Sequence, residues 1–135
     1  MILFIDDEPH YIRPYTQAFS LQGFNVKVVS SVDEAWEIIE SSTKDVLAII
    51  VDIMMPPGKL LESESTKQGL RTGEVFIEKL KTLDEGIPVV ALTNAEKAEL
   101  GSISHRNFLI FQKKDISPWG LVDKVSEMKR KRFLT

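Results

Sequence analysis

The chain has 135 residues, no cysteine, and 17 basic against 20 acidic side chains, for a formal net charge of −3. That length is one domain's worth of chain, enough to bury a core without disulfides or thiolate-held metal. Apolar residues at 43% exclude disorder, apolar runs far below roughly 18 residues exclude a membrane span, and the negative balance excludes a globally basic nucleic-acid binder, though not a local patch.

Ile2 to Ile5 is a short apolar run that ends abruptly in Asp6-Asp7-Glu8-Pro9. It is too short for a helix and reads as a buried strand. Acids directly behind it exclude a signal peptide, so the cytoplasm is the expected compartment. Residues 9–22 place Tyr15 and Phe19 at helical spacing, and Gly23 stops them. Phe24 to Val29 reads as a second strand. Ser30 and Ser31, followed by Asp33 and Glu34, start a helix whose apolar face holds Ala35, Trp36, Ile38 and Ile39. Val46 to Val51 is almost unbroken aliphatic residues, as in a parallel strand covered on both faces, and it ends at Asp52. Residues 56–72 have little periodicity and exceed the usual length of a connection in a compact domain. Glu74 to Leu83 is helical again. Pro88 to Leu92 is a fourth strand ending at Thr93, Ala95 to Leu100 a weak helix, and Phe108 to Phe111 a fifth strand ending near Lys113-Lys114. Ser117-Pro118 opens a last helix carrying Leu121, Val122, Val125 and Met128. Five strands alternating with five helices predict one doubly wound α/β domain over residues 1–135.

In such a sheet ligands bind beyond the carboxyl ends of the strands. The residues predicted there are Asp6 and Asp7, Asp52, Thr93, and Lys113 or Lys114. Each has an ordinary explanation alone: aspartates favour turns, threonine caps helices, and lysines are solvated. Together, in order, on one edge of one sheet, they form a set that independent turn residues would not assemble. Three converging carboxylates repel one another and need a cation or a proton. Oxygen ligands without cysteine suit a hard ion, Mg²⁺ first.

The strings ILFIDDEP, VDIMMP and VVALTN, with the lysine after strand five, resemble the receiver domain of two-component response regulators along the whole chain. The resemblance implies a flavodoxin-like parallel sheet of order 2-1-3-4-5. It implies that Asp52 accepts a phosphoryl group from a sensor histidine kinase or phosphotransfer protein, by nucleophilic attack of its carboxylate. Asp7 would bind Mg²⁺ directly, Asp6 would hold the ion's water, Asp52 would join them, and Met54 would add its backbone carbonyl. Thr93 and the lysine would contact phosphoryl oxygens. The resemblance also implies a signal or phosphate passed to a separate effector. The face of helix four, strand five and helix five, with Ile110 or Phe111 as its switch residue and Trp119 beside it, would serve a homodimer or target. Catalysis beyond the chain's own phosphorylation and slow dephosphorylation is not expected. The other readings are a pseudoreceiver that binds without phosphorylation and an aspartyl-phosphate type hydrolase. Against the latter stands Met54, where a general acid is needed.

Two departures from the family pattern stand out. Lys-Pro is expected after strand five, but the string is Phe111-Gln112-Lys113-Lys114-Asp115. Lys113 would put Phe111 at a usually buried position; Lys114 would put Gln112 there, where an unpaired amide costs about 1–3 kcal/mol. Spacing to the last helix argues for Lys114, and burial for Lys113, the favoured choice. The second departure is length. The matching glycine, Gly73, lies 21 positions after Asp52 instead of eight, an excess of 13. This insertion is either a tolerated surface loop or a lid or docking element that orders on phosphorylation. The basic stretch Met128 to Arg132 suits a helix C-terminus, and His10 and His105 read as surface residues.

Overall fold

The structure, a computed structural model, describes residues 1–64, 69, 71–83, 86–94 and 107–134. Its strands are β1 (Ile2–Ile5), β2 (Val26–Val29), β3 (Ala48–Val51), β4 (Val89–Thr93) and β5 (Phe108–Gln112). Its described helices are α1 (Arg13–Leu21), α2 (Val32–Ser42), α3 (Thr72–Leu80) and α4 (Pro118–Leu134). α4 is the fifth of the expected helices; the fourth, over 95–100, lies outside the described residues, as does His105. The sheet order is β2-β1-β3-β4-β5. All four pairings are parallel.

Side-chain alternation along β1 divides the interior in two. Leu3 and Ile5 join α2 residues Val32, Ala35 and Ile39 and α3 residues Phe76, Ile77 and Leu80 on one face. Ile2 and Phe4 join Tyr15, Ala18 and Phe19 of α1 and Leu121, Val122 and Val125 of α4 on the other. Period-two alternation with helices on both faces explains why the central strands β1 and β3 are apolar and buried throughout, whereas the edge strand β2 carries Lys27 and is largely exposed.

At the start of the first helix and of the second strand the bounds differ from expectation. The first helix begins as a 3-10 turn, Pro9–Ile12, before α1. Pro14 has no N–H to give to the carbonyl of His10, so the α-helix restarts with proline in its first turn. Phe24 stays out of β2 and sets its ring edge-on to Phe19, centroids 5.6 Å apart. Trp36 is a rim residue rather than core. It meets Phe76 edge-on, lies under Lys79, and donates from Nε1 to Glu40 Oε2 at 3.1 Å. His10 is exposed, as expected.

The extra loop is built into the fold at both ends. Asp33, in the first turn of α2, accepts from the backbone N–H of Lys59 at 3.0 Å and of Leu60 at 2.8 Å. Gly58 sits against that carboxylate with φ +61; any side chain there would both strain the backbone and strike Asp33. Just beyond, Leu61 is 0% exposed in the α2–α3 core. At the far end Met55 N–H donates to the carbonyl of Gly69 at 3.0 Å, and the Thr72 hydroxyl donates to the carbonyl of Met55. Leu61→Ala should therefore cost about 2–5 kcal/mol in urea denaturation, as for any buried leucine. A detached surface loop would show no cost.

Candidate functional site

β1 and β3 are neighbours in register, so their last residues, Ile5 and Val51, are paired. The next residue of each, Asp6 and Asp52, therefore emerges side by side. Backbone bonds extend the ladder that far: Asp52 N–H donates to the Ile5 carbonyl at 3.0 Å, and Asp6 N–H to Val29 at 3.1 Å. Asp6 and Asp52 are 3% and 9% exposed, whereas Asp7 is open to solvent. The three offer carboxylate oxygens that all lie within 4.8 Å of one another.

Among the described residues, one cation enters the cluster. Lys113 Nζ lies 3.2 Å from Asp6 Oδ2 and 3.4 Å from Asp52 Oδ2. Lys114, the alternative, is exposed. The burial expectation behind the choice is overturned, however. Gln112 is buried and Phe111 only half-buried. β5 is the sheet edge, so Phe111 is covered incompletely, and Gln112 pairs in register with the buried polar Thr93.

The other oxygens are held by local backbone. Asp6 Oδ1 accepts from Glu8 N–H at 2.9 Å, and Asp52 Oδ1 from Met54 N–H at 3.1 Å. The Met54 side chain is exposed beside the cluster. Burial pushes the Asp52 carboxyl above its usual pKa; Lys113 and the Met54 N–H pull it back without cancelling the rise. Burial works against the Lys113 ammonium, but Asp52 and Asp6 outweigh it and hold its pKa above the ordinary lysine value. Ionised together, three carboxylates exceed one ammonium, so the donor set fits a hard divalent cation such as Mg²⁺.

Trp119, at the start of α4, is 49% exposed, and Ile110 and Phe111 are half-buried along β5, where alternation turns them to opposite faces and Phe111 packs on the α1–α4 side. Sequence reasoning missed the close approach of Gly73 to the Asp52 backbone. Gly73, second residue of α3, donates its N–H to the Ile53 carbonyl at 2.9 Å. Glu74 beside it is buried and paired to Arg71 at 2.6 Å. Gly73 stood out only as the end of a family spacing, with no sign that it touches the backbone of Asp52.

The sequence profile of the response regulator receiver domain matches residues 2–106, which takes in Asp6, Asp7, Asp52 and Thr93 and stops short of Lys113. A search of curated proteins gave no match. Among solved structures, a response regulator receiver protein from Sinorhizobium medicae superposes with a TM-score of 0.76 at 22% identity, over 97% of this chain and 94% of its own. A receiver domain protein from Methanospirillum hungatei gives 0.72 at 18%, over 97% and 94%. One from Clostridium thermocellum gives 0.71 at 21%, over 99% and 98%. At these identities the likeness is one of fold. No helix among the described residues is long and apolar enough to cross a membrane.

Proposed function

Because the chain belongs to the response regulator receiver family of two-component signal transduction, we propose that it is a phosphorylation switch with Asp52 as the acceptor. The observation that carries this is Lys113 Nζ bridging Asp6 and Asp52 inside a three-carboxylate cluster. An Asp52 oxygen attacks the phosphorus of a phosphohistidine on a kinase or phosphotransfer protein. A P–O bond forms as the P–N bond breaks. Lys113 moves from its carboxylate partners toward the incoming phosphoryl oxygens, and the Thr93 hydroxyl offers them a hydrogen bond. Asp6, Asp7 and Asp52, with the Met54 backbone carbonyl, would hold Mg²⁺, which offsets the negative charge gathered there. In such transfers positioning and charge neutralisation supply most of the catalysis. The chain acts as a single receiver domain that catalyses its own modification. It passes the signal to an effector or a second copy through the face of β5 and the last helix, with Ile110 or Phe111 as the switch residue and Trp119 at the start of that helix.

Acetyl phosphate with Mg²⁺, followed by intact mass, tests this reading. One phosphoryl group should add to the wild type. Lys113→Ala should slow its uptake by about tenfold or more, as for loss of an electrostatic contact to the transferred group, while Lys114→Ala should match the wild type. No adduct under any condition would leave a binding module without phosphorylation; turnover of free phosphomonoesters would mark a hydrolase.

A further inference from the structure

Lys113 works only if its ammonium arrives between two carboxylates, yet the sheet does not hold it there. The β4–β5 ladder ends with the pair Thr93 and Gln112. Lys113 is the first residue beyond it and opens a short 3-10 turn, Lys113–Asp115. Neither Lys114 nor Asp115 restricts that turn as a proline would. The Lys113 side chain is only 14% exposed and reaches both carboxylates at 3.2 and 3.4 Å, so the backbone position of the turn limits where its ammonium can sit.

The turn is tied instead to α1. The Tyr15 hydroxyl lies 2.8 Å from the Lys113 carbonyl and 2.9 Å from that of Ile116. Its single proton is shared between the carbonyls on either side of the turn. The ring is 7% exposed and packs in the α1–α4 core, so the hydroxyl projects from a rigid base. Burial raises the Tyr15 pKa, against a smaller lowering by Lys113, which keeps it a neutral donor. We propose that Tyr15 is a positioning residue for phosphoryl transfer: by pinning the turn after β5 it sets the Lys113 ammonium against Asp6 and Asp52. This rests on the phosphorylation switch proposed above.

The rate of adduct formation from acetyl phosphate and Mg²⁺, in a double-mutant cycle, tests it. Tyr15→Phe keeps the ring and removes the tie. It should slow the wild type by about tenfold, since a misplaced group costs up to about a hundredfold per ångström. In a Lys113→Ala background, where there is no ammonium to place, it should change the rate less than about twofold. Phe19→Leu, a core change on the same helix that does not touch the turn, should leave the rate within about twofold of wild type. Equal slowing in both backgrounds, slowing by Phe19→Leu to match, or no slowing by Tyr15→Phe would overturn the role. If the wild type forms no adduct, the switch reading itself has failed. Hydrogen exchange then judges the tie: Tyr15→Phe should speed exchange of the 113–116 amides several-fold, and unchanged protection would refute it.

Discussion

Asp52→Asn should take up no phosphoryl group and should melt at a higher temperature than the wild type at neutral pH. The first effect is total, because the amide is no nucleophile. The second follows from the site's electrostatics. The folded protein raises the Asp52 pKa above its ordinary 3.8, chiefly by burial, with Asp6 adding repulsion. A raised carboxyl pKa means that the protonated form stabilises the fold relative to the ionised one. That contribution is complete below 3.8 and is lost as pH rises through the higher folded value. Asparagine resembles a carboxyl that never ionises, so it never incurs the loss. Melting curves over a pH series without divalent metal should show the variant's advantage opening above 3.8 and absent below it. The loss of one Lys113 partner is already part of this balance, since Lys113 lowers the Asp52 pKa by less than burial raises it. An advantage confined to acid pH would contradict the account.

Gly73→Ala should cost about 3 kcal/mol or more in denaturant, at the upper end of overpacking effects. An added Cβ would stand 2.4 Å from the Asp52 carbonyl oxygen and 2.6 Å from the Ile53 Cα. Both neighbours are backbone, so no side chain can swing away. Glycine is required here for space, not for backbone conformation, since Gly73 lies within α3. The displaced segment carries Asp52, so phosphoryl uptake should fall as well, by up to about a hundredfold for a shift of an ångström. A variant with wild-type stability and rate would show that the helix slides freely past the strand end.

The sheet was legible because each buried strand is an apolar run that stops at a polar residue: Ile5 at Asp6, Val51 at Asp52. Those stops form the acid cluster, so fold and candidate site were read from the same signal. Interactions between distant segments were not legible. Asp33 reads as an ordinary first-turn acid, and nothing within a helix reveals that its carboxylate serves amides 26 and 27 residues on. Leu61 sits in a stretch of glutamates and serines without periodicity, yet is wholly buried. Tyr15 fits the apolar stripe of its helix, which predicts where the ring goes but not what the hydroxyl meets. Lys113 was favoured on the assumption that Phe111 is better buried than Gln112. At a sheet edge next to a polar neighbour the order reverses, and the lysine is placed by the path of the turn.

The Asp33 tie and the buried Leu61 also bear on how this chain can be shortened. Cutting the loop back to family spacing would strip a leucine from the interior and leave the Asp33 carboxylate without its two amides. A minimal version of the protein is therefore a repacking problem: residues 57–61 must stay, or α2 and α3 must be given a new side chain between them. Foreign sequence, such as an epitope or a fluorophore site, belongs instead among the exposed residues 62–64, where the chain has already left the core.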